Sequence, residues 1–270
     1  MRKESHYIDN LRLLELLARQ KSVIHQMNPL VKLLTTVIYV TVVISFERYE
    51  FSALLPLLFY PALVLAFSGT PVAPILKRVL LAQVFVIGIG IWNPFFDTYP
   101  VMFGGLSVSR GWLSFLSLIL KSILAVTALF LLIATTGMER TAQALRMLKI
   151  PKIFVLQLLL TYRYITVLLE EAARMTRAYA LRAPRQKGIH RSAWGSFLGQ
   201  LLLRTVDRGE RVHEAMLLRG FTGEYHTGAA AGAGLRDWAY LAGWGLFFIL
   251  VRAYNLPVWL GTLLTGAMIK

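Results

Sequence analysis

Residues 112–136 read WLSFLSLILKSILAVTALFLLIATT, an apolar run whose single charge is Lys121. A helix rises 1.5 Å per residue, so roughly 20 apolar residues cross the ~30 Å hydrocarbon core. This stretch is long enough and apolar enough, and it puts the chain in a bilayer. Working towards the N-terminus, three more runs have the same character, about Val79–Trp92, Phe51–Ser68 and Leu30–Phe46. They are separated by Glu47-Arg48-Tyr49-Glu50 and by Gly69, Pro71 and Pro74, residues that turn or break helices. Asn93–Gly111, with two prolines and the Gly104-Gly105 pair, is too interrupted to span and reads as a loop. On the other side, a last span covers about Trp238–Tyr254, with Trp238, Tyr240, Trp244 and Tyr254 as interface anchors. Leu256–Met268 is apolar but short, and fits either an interfacial segment or a further short span. The expected fold is an all-α integral membrane protein with five to six transmembrane helices.

Composition agrees. The 270 residues are 56% hydrophobic and 16% charged, against about 25% charged in a soluble domain, and the mean hydropathy is +0.58. With no cysteine there is no disulfide framework, thiolate metal site or cysteine nucleophile. The first 20 residues mix charges with leucines and lack the apolar core of a cleaved signal peptide. Within them and just beyond, Ile8–Val23 has helical spacing of leucines. It fits an amphipathic helix on the membrane surface, or an ordinary solvated helix packed on the rest of the protein.

The net charge is +15, and 16 of the 29 Lys and Arg fall between Gly137 and Arg236. Arg2, Lys3, Arg12, Arg19 and Lys21 precede the first span, Lys77 and Arg78 mark the second inside loop, and the outside loops carry little beyond Arg48 and Arg110. The positive-inside bias then puts the N-terminus and the basic section in the cytoplasm. The expected organisation is 1–136 for the N-terminal helix and four spans, 137–236 for a cytoplasmic section, and 237–270 for the C-terminal transmembrane part. The cytoplasmic section reads as one short helix, about Met138–Leu148, and two long ones, about Lys152–Leu181 and Arg191–Leu218. These stop at Pro151, Pro184 and Gly220. A competing reading makes Ile153–Leu169 another span, but Gln157 and Arg163 interrupt it, and a central arginine costs at least ~2.5 kcal/mol. Gly228–Gly234 has the small residues of a linker.

Much chemistry is missing. No G-x-x-x-x-G-K-[ST] loop is present, the five histidines are scattered, and Glu170-Glu171 point about 100° apart on a helix, so they form no dyad. Neither a catalytic site nor a bound metal or cofactor is expected. The arginines alternate with leucine runs without a readout module, which argues against nucleic acid. A membrane enzyme would need clustered acidic residues or a nucleophile. A self-sufficient carrier would need polar residues or broken helices at mid-membrane.

Two helix endings stand out. One closes with Tyr179-Ala180-Leu181-Arg182-Ala183, the other with Leu217-Leu218-Arg219-Gly220-Phe221. A cation suits a helix C-terminus, so capping alone explains either arginine. Two copies on the two longest helices favour a docking surface, where an arginine can pair with a carboxylate in bidentate geometry. Three further stretches belong with these. The first is His25-Gln-Met-Asn28-Pro29-Leu-Val-Lys32-Leu-Leu. The second is Tyr162-Arg163-Tyr164-Ile165 with Glu170, Glu171 and Arg174. The third is Arg208-Gly209-Glu210-Arg211 leading to Leu218-Arg219-Gly220-Phe221.

On these residues the chain resembles the T component of energy-coupling factor (ECF) transporters, the EcfT/CbiQ family. Asn28 and Leu30 depart from the family's usual Asp and Arg. The resemblance implies a transmembrane coupling subunit in a prokaryotic cell membrane. Its family-matched coupling residues would be Arg163, Glu171, Arg174 and Arg211. Its two docking motifs would be Leu181-Arg182-Ala183 and Leu218-Arg219-Gly220, of which the first keeps only the arginine and a small residue after it. Two P-loop ATPase subunits would bind ATP and receive these helix ends, and a separate membrane subunit would bind the substrate. Arg219-Gly-Phe-Thr-Gly223 is closer to the cobalt-type branch, with nickel and vitamins as the alternatives.

Overall fold

The computed structural model describes residues 17–18, 20, 22–96, 99–103, 106–186, 188–223 and 232–254. The expected N-terminal helix, most of the linker and Leu256–Met268 lie largely or wholly outside them. Within the described residues the chain divides into two units. One comprises those of Leu17–Gly137 and Ala230–Lys270, the other those of Met138–Ala229.

The first unit starts with a short turn of helix, α1 (Val23–Gln26), and then α2 (Pro29–Ser45). Asn28 caps α2 by accepting the Leu30 N–H at 2.9 Å, and Pro29 takes the first helical position, where a missing N–H leaves nothing unpaired. The next span combines α3 (Phe51–Leu54), a 3-10 turn (Leu55–Leu58) and α4 (Phe59–Ser68). Pro56 and Pro61 remove two ladder donors, and the backbone tightens locally. Gly69, at φ 67°, ends α4 in the left-handed region.

The third span departs from the sequence expectation. Helix α5 (Val72–Gly90) begins well before Val79 and includes Lys77 and Arg78. Pro71 is its N-cap and Pro74 lies in its first turn, where the absent N–H has no helical partner to lose, so a proline read as a breaker is a starter instead. The expected loop after it also contains structure. It holds α6 (Asn93–Phe96) and an antiparallel pair, β1 (Pro100–Phe103) with β2 (Leu106–Ser109), in the register Val101 opposite Val108. Two four-residue strands leave the class all-α.

Helix α7 (Arg110–Met147) runs through a break at Gly137, where φ is 73° and ψ 162°. Helix α10 (Leu235–Ala253) packs along α2. Among the described residues four helices are long and apolar enough to cross a membrane, Phe51–Ser68, Val72–Phe96, Arg110–Met147 and Lys152–Arg182, with Pro29–Ser45 a shorter apolar helix.

The core of this unit is aromatic. Tyr39 and Tyr60 lie 4.6 Å apart, Trp244 meets Tyr60 edge-on at 4.9 Å, and Phe248 stacks on Trp244 at 5.6 Å. The Tyr39 hydroxyl donates to the Leu57 carbonyl at 3.0 Å, so the ring is buried without an orphaned O–H. Gly90 marks the close approach of α5 and α7, because a Cβ there would sit 2.9 Å from Phe115. Further along the same pair of helices, Ser122 donates to Gln83 at 2.7 Å. Lys121 donates to the carbonyls of Phe46 at 2.6 Å and Glu47 at 3.2 Å, and Arg252 to that of Ser45 at 3.3 Å. Two cations thus close the C-terminal end of α2.

Candidate functional site

The second unit consists of the end of α7, then α8 (Lys152–Arg182), a 3-10 turn (Arg191–Ala193) and α9 (Trp194–Leu218). Pro151 caps α8, and after 31 residues the helix stops one residue short of Pro184. Its apolar part, residues 153–169, precedes a polar part that ends in Arg182. Leu156 is buried, and Leu159 and Leu160 are half-buried.

The two helix ends carry the residues singled out as docking candidates. At the end of α8 the Ala183 N–H bonds the Tyr179 carbonyl at 3.0 Å. Leu181 is 83% exposed and Arg182 is exposed, with Ala183 half-buried beside them. At the end of α9 the Gly220 N–H bonds the Leu217 carbonyl at 2.9 Å and the Phe221 N–H bonds the Met216 carbonyl at 3.0 Å. With Gly220 at φ 77°, these crossed bonds form a Schellman motif, which a left-handed glycine makes without steric cost. Leu218 is 89% exposed and Arg219 is exposed. Neither the Arg182 nor the Arg219 side chain has a hydrogen-bond or ion-pair partner among the described residues. The two ends therefore share a pattern, an exposed leucine followed by an exposed arginine at a helix C-terminus.

The family-matched residues lie further back. Glu171 accepts from Arg174, one turn along the same helix, at 2.6 Å and from Arg204 of α9 at 2.5 Å. These two guanidiniums hold the Glu171 carboxyl, which lies beyond the apolar part of α8, below its ordinary pKa. Arg174 is the larger cause and Arg204 the next. Arg204, Arg208 and Arg211 follow one another at i, i+4 and i+7, and with Glu171, Val167 and Leu168 they line an open cleft of about 270 Å³ between α8 and α9. Arg163 is exposed and lies outside this group. The sequence singled out Glu171 and Arg174 as family-matched residues but not Arg204. The i, i+4, i+7 arginine stripe was the available signal.

Among the described residues no three His, Cys, Asp or Glu are grouped so as to hold a metal ion. His25 is buried, with Nε2 3.0 Å from the Leu17 carbonyl and Nδ1 2.8 Å from the Ser22 hydroxyl.

Taken together, these helices define a multi-pass membrane protein with a pair of long helices whose ends are exposed. Residues 20–228 match the model of the CbiQ family, described as cobalt transport protein. The chain belongs to this family and is a membrane component of a transport system. It is also 27% identical over 205 residues to the uncharacterized protein MJ1571 of Methanocaldococcus jannaschii, an alignment covering 71% of this chain and 68% of that protein.

Proposed function

We propose that the chain is the non-catalytic coupling subunit of an ECF-type importer for cobalt ions. In this reading residues 137–236 lie in the cytoplasm, as does the N-terminus. Leu181-Arg182-Ala183 and Leu218-Arg219-Gly220 enter grooves of two P-loop ATPase subunits, which bind the ATP. The long helices pass ATPase closure to a membrane subunit that binds the substrate. The chain itself holds neither ATP nor the transported ion. The observation that carries the reading is the pair of helix ends, each an exposed leucine and an exposed arginine whose side chain has no partner among the described residues. Family membership supports cobalt over nickel or a vitamin. Glu171, Arg174 and Arg204 brace α8 against α9, so a push at one helix end moves both helices. Arg163 argues for placing α8 outside the bilayer although its apolar part is long enough to span.

The test is affinity purification of the tagged chain from mild detergent. Two P-loop ATPases and one small membrane protein with bound cobalt are expected alongside it. Recovery of the chain alone under several gentle conditions would overturn the coupling role, and uptake by the isolated chain in vesicles would then be measured.

A further inference from the structure

The break at Gly137 is built into the first unit. At φ 73° only glycine is unstrained, and an added Cβ would also sit 3.0 Å from the Ala18 Cβ. A helix that ends leaves its last carbonyls without donors from its own ladder. One of these, the Thr135 carbonyl, accepts from Lys32 Nζ at 2.9 Å. Lys32 is 4% exposed, a buried ammonium in the first turn of α2 facing the negative end of the spanning part of α7. Thr135 is held independently, its hydroxyl donating to the Leu131 carbonyl at 2.7 Å.

Lys32 itself stands on a fixed base. The Asn28 N–H donates to Asp237 Oδ1 at 3.0 Å, and the other oxygen of Asp237 accepts the Gly234 N–H at 2.9 Å. One carboxylate thus joins the starts of α2 and α10, and Lys32 extends from that joint to the end of the α7 span. All of these contacts lie within one unit.

We infer that Lys32 is a positioning residue. By holding the Thr135 carbonyl it fixes the local geometry of the break at Gly137, where the spanning part of α7 ends. Its consequence for transport rests on the proposed coupling role, whereas its local consequence does not. The test therefore has two readouts on the full chain. In nanodiscs, Lys32→Met, which keeps the volume and removes the donor, raises amide exchange at residues 136–142 about tenfold. Lys32→Arg, which keeps a donor, stays within about twofold of the parent. In the reconstituted transporter, Lys32→Met lowers ion uptake per ATP hydrolysed about fivefold while the ATPases still co-purify, and Lys32→Arg recovers most of it. Unchanged exchange in Lys32→Met, or Lys32→Arg behaving as Lys32→Met does, would overturn the inference. If ATPases never accompany the parent chain, the coupling role fails, and the exchange comparison still decides the role of Lys32.

Discussion

The two units use the same kinds of residue in opposite ways. In the first, Tyr39, Leu54, Leu57, Leu124 and Phe248 are all fully buried, and the one hydroxyl among these side chains, that of Tyr39, donates to the Leu57 carbonyl. In the second, α9 runs for 25 residues without one buried residue. Trp194, Leu198, Leu202 and Val206, at four-residue intervals on one face, are 46–64% exposed. Helices of the first unit also expose large apolar groups, such as Phe85 and Ile89, but lipid is their solvent. A helix in the proposed cytoplasmic section has no such solvent, and so much uncovered apolar surface asks for protein. Internal packing covers much of the first unit, whereas in the second α9 keeps its apolar face largely uncovered among the described residues.

Removing the two exposed arginines at the helix ends should break this contrast most completely. The Arg182→Ala, Arg219→Ala double variant is expected to abolish transport with the amount of chain in the membrane unchanged, measured by uptake and by immunoblot of membranes. Loss of the protein instead would assign these arginines to folding. Arg219→Glu alone should lower co-purified ATPase about tenfold or more, as a buried interfacial charge does. His190→Glu, nearby and exposed, should change it less than about twofold.

Glycine sharpens the comparison because it responds with opposite sign in the two units. Gly90→Val puts side-chain atoms into Phe115 and should destabilise the chain by about 1–3 kcal/mol, read as a lower melting temperature. Gly209→Ala in α9 meets nothing within 4 Å and should stabilise the isolated chain by up to about 1 kcal/mol. A loss of stability in Gly209→Ala would mean that α9 is packed after all.

The smallest effect is expected at Glu171. Its pKa is depressed in the folded chain, so its contribution is present above the ordinary carboxylate pKa of about 4.3 and is lost as pH falls through the lower folded value. Arg174 and Arg204 are more than half exposed, and solvent screening limits the network to about 1 kcal/mol or less. Glu171→Gln should therefore lower stability slightly at neutral pH and remove the share of the acid dependence that Glu171 contributes, measured by denaturation at low salt.

Much of this architecture was legible because helix punctuation is local. Asn28-Pro29, Gly69, Gly137 and Gly220 act through their own backbone, and the helices begin or end beside them. Pro74 misled for the same reason, since a proline that breaks a helix and one that begins it look alike without knowing where the first turn lies. The 100–109 hairpin went unread because four-residue strands are too short for their alternation to show. The candidate site was half legible. Arg182 and Arg219 stand next to breaks that any reader meets, whereas the bond from Arg204 to Glu171 joins residues 33 apart and depends on how α8 meets α9.

At the end of α9, backbone groups close the helix. Phe221 and Gly220 satisfy the carbonyls that an arginine in the last turn would otherwise solvate. The Arg219 guanidinium has no acceptor among the described residues, so under the proposed role its five N–H donors are available to a partner. A chain with a side chain at Gly220, strained at φ 77°, would lose that closure. Its arginine would turn back on the open carbonyls, and under the proposed coupling role docking would then fail with both arginines intact.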